Sequence, residues 1–233
     1  MTIAFLERAS ALSEAGAHEQ ALALLDAALR TESALAGSEA RLHAARGWAL
    51  ENLGAARRPE ARGAYEAALA LDNGDLWARL GLATVLGKLD QAEVAQGLYR
   101  DLVHQAGARA GVEPEYIELL GWCEYRMGRF DAAIGSFQRA LAIDPDWLSV
   151  RFDLGLVLLI RGDGEGALAH YAKGLTQCRH GAAPGSGRAA LKVALDDFDD
   201  AWRNTSALGF NPPAREIRAL LQHALHAATP CHG

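Results

Sequence analysis

Four acids crowd one short stretch, Asp196-Asp197-Phe198-Asp199-Asp200, and carboxylates in that number could hold a cation. The spacing argues otherwise. A calcium loop needs a glycine at its sharp turn and a closing Glu, and neither stands at the required distance. On a helix these acids point in several directions, so the stretch reads as a solvated acidic face. His223 and His226 stand three apart and would share a helical face, with Cys231-His232 just beyond. Those types suit zinc; a frayed, exposed terminus accounts for them more simply. Cys178 lies near His180, without a third group to orient a nucleophile. Cys123, beside Trp122, reads as a small buried residue. There is no phosphate loop, dinucleotide fingerprint, nucleophile elbow or zinc signature. Asn204-Thr205-Ser206 matches a glycosylation sequon, which means nothing without secretion. No catalytic residue, metal or cofactor is expected.

Composition narrows the classes further. Half of the 233 residues are apolar, aromatics are 7%, and the net charge is -6. Abundant alanine favours closely packed helices over a deep aromatic core. Arg57-Arg58 is the densest basic spot, so nucleic-acid binding by phosphate neutralisation is not expected. Met1 to Ser10 does not read as a signal peptide. No apolar run approaches the ~20 residues of a membrane span, so no membrane partner is expected. Three widely spaced cysteines give no disulfide framework and fit a reducing cytoplasm.

The elements show a period. Leu120-Gly121 recurs 34 residues later as Leu154-Gly155, Gly128 as Gly162, Ala133 as Ala167 and Phe137 as Tyr171. Ala140 and Leu141 recur as Gly174 and Leu175. Gly121, Ala133 and Ala140 let two antiparallel helices approach closely, while Phe137 fills the space between neighbouring pairs. Gly128 can take a positive φ at the first helix's end, and Pro145 cannot continue the second. This pattern resembles the tetratricopeptide repeat (TPR).

Earlier stretches follow it less closely. Phe5, Ala9 and Leu12 share a face over residues 4–13; Gly16 is a turn, followed by Ala21, Leu25, Ala28 and Leu29. A second repeat starts near Leu42, with Trp48-Ala49 where Leu120-Gly121 stands later. Its second helix carries Ala61, Tyr65, Ala68 and Leu69, and Arg57-Arg58-Pro59 replaces the usual Gly turn. In the third, Trp77, Leu80 and Gly81 fit the opening, but Ala95 and Tyr99 arrive late. Gly81 and Gly121 are 40 apart. That spacing reads as an inserted loop before Pro114, which is thermodynamically cheap, or a bend. Beyond Cys178 the pattern fails. Residues 182–187 read as a Gly/Pro/Ser linker. Leu191, Leu195, Phe198 and Trp202 then form one helical face. A final helix starts at Asn211-Pro212-Pro213 and carries Ile217, Leu220, Leu221, Ala224 and Leu225.

The resemblance implies an all-α fold: a right-handed superhelical solenoid of about five TPR-like helix-turn-helix repeats with C-terminal capping helices. The array would cover 2–181, in repeats near 2–35, 42–75, 74–113, 114–147 and 148–181, with capping helices over 188–228. The tail would cap the last repeat or, alternatively, fold back into the groove. First helices line the concave side in this family. Alignment places Arg46 and Leu50, Arg79 and Leu82, Glu118, Trp122, Tyr125 and Arg126, and Phe152 and Leu156 there. The Lys and Asn set that clamps a peptide's terminal carboxylate in some members is missing. The mostly apolar floor suits an amphipathic helix or extended peptide. The implied role is a non-catalytic scaffold or adaptor for a protein partner. The alternative is an accessory subunit of an enzyme or secretion complex, docking through its convex face or tail.

Overall fold

Glycine on a first helix facing a large ring on the second sets the spacing of three helix pairs here, with Gly47 against Tyr65, Gly121 against Phe137 and Gly155 against Tyr171. The computed structural model describes residues 2–30, 38–111, 113, 115–180, 186–205, 208 and 211–227, all helix and turn. The helices are α1 (Thr2–Glu14), α2 (His18–Arg30), α3 (Glu39–Asn52), α4 (Arg58–Leu71), α5 (Leu76–Lys88) and α6 (Ala92–Arg109). They continue as α7 (Glu115–Arg126), α8 (Phe130–Ile143), α9 (Leu148–Arg161), α10 (Gly164–His180), α11 (Ser186–Asn204) and α12 (Pro212–Ala227). Two compact units result, Met1–Arg109 with α1 to α6 and Ala110–Gly233 with α7 to α12. The architecture is all-α in both.

One register runs through five pairs. The small residues are Ala9, Gly47, Ala83, Gly121 and Gly155. Seven residues after each, the chain turns at Gly16, Gly54, Asp90, Gly128 and Gly162, all with φ between 59° and 105°. The large partners on the second helices are Leu25, Tyr65, Tyr99, Phe137 and Tyr171, each at most 3% exposed. Asp90 is the non-glycine case, of a type that tolerates the left-handed region.

This register corrects the sequence reading of the second and third pairs. Gly47, not Trp48-Ala49, faces Tyr65, since a Cβ on Gly47 would lie 2.8 Å from the ring. The glycine turn is present at Gly54. The extra residues are a 3-10 turn, Ala55–Arg57, inserted before α4. In the third pair Ala83 is the counterpart of Gly121, and Tyr99 follows it after 16 residues, as Phe137 follows Gly121. The second helix is therefore in step. The added length lies at its far end, where α6 runs to 18 residues against 14 in α8.

A Cβ at Gly121 would sit 2.6 Å from the Phe137 ring. Gly121→Ala should therefore destabilise by about 1–3 kcal/mol through overpacking. Gly63 and Gly135 lie inside α4 and α8 with open space around them. Alanine there should stabilise by about 0.5–1 kcal/mol, because glycine loses more backbone entropy in a helix. Urea unfolding of the three variants checks both signs.

Two arginines 72 residues apart make the same clamp. Arg79 donates to Gln105 Oε1 at 2.8 Å and to the Asn73 side chain at 2.9 Å, and it also binds the Asn73 carbonyl. Arg151 donates to Gln177 Oε1 at 2.6 Å and to the Pro145 carbonyl. Each ties the turn before its own helix to the following second helix. Arg151 is only 4% exposed. Arg151→Ala should cost about 1.5–3 kcal/mol, the range for hydrogen bonds made by a charged group, because both acceptors lose their donor; thermal unfolding reads this directly.

The second unit ends in a sixth helix pair. α11 packs against α9 and α10, and α12 against α10 and α11. Phe198 is fully buried, its ring 6.1 Å from Tyr171 and 5.9 Å from Trp202. Asn211 caps α12 by accepting the Ala214 N–H at 3.1 Å. The Gly/Pro/Ser stretch before α11 lies mostly outside the described residues.

Candidate partner-binding face

Within the second unit, α7, α9 and α11 are the successive first helices, and their shared side gathers unusual chemistry. Trp122 and Tyr125 come from α7, and their rings meet edge-on at 5.5 Å. Both are half-buried. Arg126, one residue further, lies 3.8 Å from Asp200 of α11. Glu118 sits one turn before Trp122 and accepts the Ser149 hydroxyl of α9 at 2.8 Å.

Asp153 stands among them, the one acid of α9. It is 7% exposed. The Trp122 indole N–H donates to its carboxylate, while Oδ2 is buried without a hydrogen-bond partner. Burial raises its pKa well above the usual carboxylate range, and the acids Glu118 and Asp197 raise it further. Glu118 is likewise raised by burial, with the Ser149 hydrogen bond opposing. Burial pushes Tyr125 up to about 12, opposed by Arg126 and reinforced by Asp197, Asp200 and Asp153. The face is a half-dry patch of aromatic rings and crowded acids.

Four of the expected residues, Glu118, Trp122, Tyr125 and Arg126, come together here. Six stand elsewhere. Phe152 and Leu156 are each 2% exposed and belong to the core that α11 helps to close. Leu50 is fully buried, and Leu82 is half-buried against the first unit's core. Arg46 pairs with Asp26 of α2 at 2.7 Å, and Arg79 holds the clamp already described. These positions were displaced because the expected alignment of the second and third pairs was out of register, and because α11 covers the floor of α9.

The acidic run is a partly exposed face with ion-paired acids. Asp196 pairs with Lys192, Asp199 with Arg218 at 2.7 Å, and Asp200 with Arg126 and Arg203. Burial pushes Cys123 up to about 12 and Cys178 to about 11, so both thiols stay protonated at neutral pH. Among the described residues, no group of His, Cys, Asp or Glu is placed to hold a metal ion. His226 bonds the Gln222 carbonyl at 2.6 Å; Cys231 and His232 lie outside the described residues. Among the described residues, no helix is long and apolar enough to cross a membrane.

The tetratricopeptide-repeat family model matches residues 80–147 and again 119–187. The chain carries tetratricopeptide repeats. Among solved structures, a thermophilic TPR protein of Thermus thermophilus matches with a TM-score of 0.59 at 21% identity, covering 76% of this chain and 91% of that one. That likeness shows the same fold. MamA from Desulfovibrio magneticus also matches, with a TM-score of 0.45 at 21% identity, covering 78% and 97%. No curated protein matches the chain.

The TPR register shows what sequence reasoning missed. Glu118, Trp122 and Tyr125 lie three before, one after and four after the small residue Gly121. In the second TPR, built on Gly47, those offsets give Ala44, Trp48 and Glu51. Trp48 is 38% exposed, with its ring 5.5 Å from His18. Glu51 pairs with Lys88 at 3.1 Å and accepts the Tyr65 hydroxyl at 3.3 Å. Trp48 is thus the counterpart of Trp122. The signal for Asp153 was legible as the one acid inside the run from Leu148 to Ile160.

Proposed function

We propose that the chain is a non-catalytic, cytoplasmic scaffold that holds a peptide or helix of a partner protein on the first-helix face of α7, α9 and α11. The observation that supports this most is the half-buried Trp122–Tyr125 pair beside Arg126, on a face crowded with carboxylates. Aromatic and arginine side chains in half-dry surroundings carry most of the energy of protein interfaces. α11 and α12 serve as the cap of the second unit, because the apolar face of α9 and α10 would otherwise be wet.

The test is quantitative capture from extracts of the cells that make the protein. The intact chain is compared with a Trp122→Ala/Arg126→Ala variant. Partner affinity should fall at least about thirtyfold, the loss of one strong interface anchor. Equal capture by both chains would reject this face. High salt should weaken capture, since the face combines charge with apolar contact.

A further inference from the structure

We infer that the face of α7, α9 and α11 receives a basic side chain of its partner, an arginine or lysine whose cationic head enters beside Trp122 and pairs with Asp153. This rests on the reading of that face as the partner-binding surface, and it names what the surface selects.

Three observations carry it. First, Asp153 Oδ2 is buried and lacks a hydrogen-bond partner, while the carboxylate accepts the Trp122 indole N–H of α7. A buried carboxylate oxygen left unbonded is costly, so an incoming donor gains more there than at a hydrated acid. Second, acids outnumber bases, even with Arg203 paired to Asp200. Glu118, Asp153, Asp197 and Asp200 share the face with Arg126, and Arg126 already lies against Asp200. Third, Trp122 and Tyr125 flank the acids with half-exposed rings. Rings beside acids suit a guanidinium or ammonium group, which stacks on the ring while its alkyl stem covers apolar surface. Arginine fits best, because its planar fork can meet a carboxylate with two N–H groups.

The pH dependence has a definite sign. The groups facing Asp153 are Glu118 and Trp122 of α7 and Asp197 of α11, with Tyr125 and Tyr171 nearby. Crowding favours the protonated acid in the free chain, whereas a bound cation favours the carboxylate. Binding should release a proton and tighten as pH rises above the ordinary aspartate range.

The experiment is selection from a random dodecapeptide library displayed on phage, run on the full chain, on Asp153→Asn and on Trp122→Ala. Asparagine keeps an acceptor for the Trp122 indole; Glu118→Gln provides a second charge variant should Asp153→Asn not fold. The expected result is a family of peptides lost on Trp122→Ala that share arginine or lysine at one fixed position. Replacing that residue by citrulline or glutamine should weaken binding at least tenfold, as should Asp153→Asn or Glu118→Gln. Peptides that need Trp122 but show no basic position, or bind both charge variants equally, would overturn the inference and leave the face reading intact. Selection that yields no Trp122-dependent peptide would overturn both.

Discussion

Replacing Asp153 by asparagine should stabilise the protein at neutral pH and leave it nearly unchanged below the ordinary aspartate pKa of about 3.9. The reason is linkage. Burial, Glu118 and Asp197 raise the folded-state pKa of Asp153 above its unfolded value. The folded chain therefore binds the proton more tightly than the unfolded chain. The stability this gives is fully present below the unfolded pKa and is lost as pH rises toward the folded one. Stability should fall with pH across that window, by at most about 1.4 kcal/mol per pH unit for one proton. Asparagine has no proton to lose, and its amide can donate toward Glu118 or Asp197. The variant should gain about 1–3 kcal/mol at neutral pH, the usual cost of a buried polar atom left without a partner. His170 acts in the opposite sense, since burial and nearby Arg151 lower its pKa, so it takes stability away as pH falls through its ordinary range. Comparing variant and parent at each pH cancels that contribution. Urea unfolding at a series of pH values gives the difference curve; a flat difference would mean that Asp153 is solvated and ionised throughout.

Phe198→Ala should lower the stability of the second unit by about 3–5 kcal/mol, the range for removing a buried ring from a core. Phe198 is fully buried, between Tyr171 of α10 and Trp202 of its own helix, in a cluster that also holds Phe152 and Leu156 of α9. A chain ending after α10 should expose those residues and unfold or self-associate. Were α11 a detachable arm, Phe198→Ala would leave the unfolding midpoint of the remaining helices where it was. Denaturant unfolding followed by tryptophan fluorescence, with limited proteolysis across residues 181–187, separates the two outcomes.

How far the sequence carried the account depends on what each signal constrained. The 34-residue spacing from Leu120-Gly121 to Leu154-Gly155 was legible because glycine against an aromatic ring is a steric requirement, and it fixes register directly. In the earlier pairs the small residue can be alanine, as at Ala9 and Ala83, and the turn can be aspartate, as at Asp90. A composition rule then misses them, although the seven-residue step from small residue to turn is intact. Insertions misled too. The 3-10 turn Ala55–Arg57 and the extra turns of α6 shift the period without shifting the register inside each first helix. Arg46, Leu50, Arg79 and Leu82 were assigned to the inward face for that reason.

The candidate face was half legible. Glu118, Trp122, Tyr125 and Arg126 followed from the best-matched repeat. Asp153 did not, because an acid in an apolar helix gains its meaning from what covers it, and that is α11. The ion-pair partners of the acidic run of α11 were not legible either. Its carboxylates meet Arg126, Lys192, Arg203 and Arg218, three of them within α11 or α12 and one on α7. The pairs with Arg126 and Arg218 join helices far apart in sequence and have no period to read, whereas Lys192 and Arg203 are helical neighbours of their acids.

Hydroxyl-radical footprinting of the unmodified chain, with and without its captured partner, locates the binding face directly. Trp122 and Tyr125 report on the face, and Trp77, 42% exposed and off that register, serves as the internal reference. Oxidation of Trp122 and Tyr125 should fall several-fold in the complex while that of Trp77 holds, because the core of an interface excludes water. Unchanged oxidation at Trp122 and Tyr125, with protection appearing on α12 or on second helices, would contradict the account and move the working surface elsewhere.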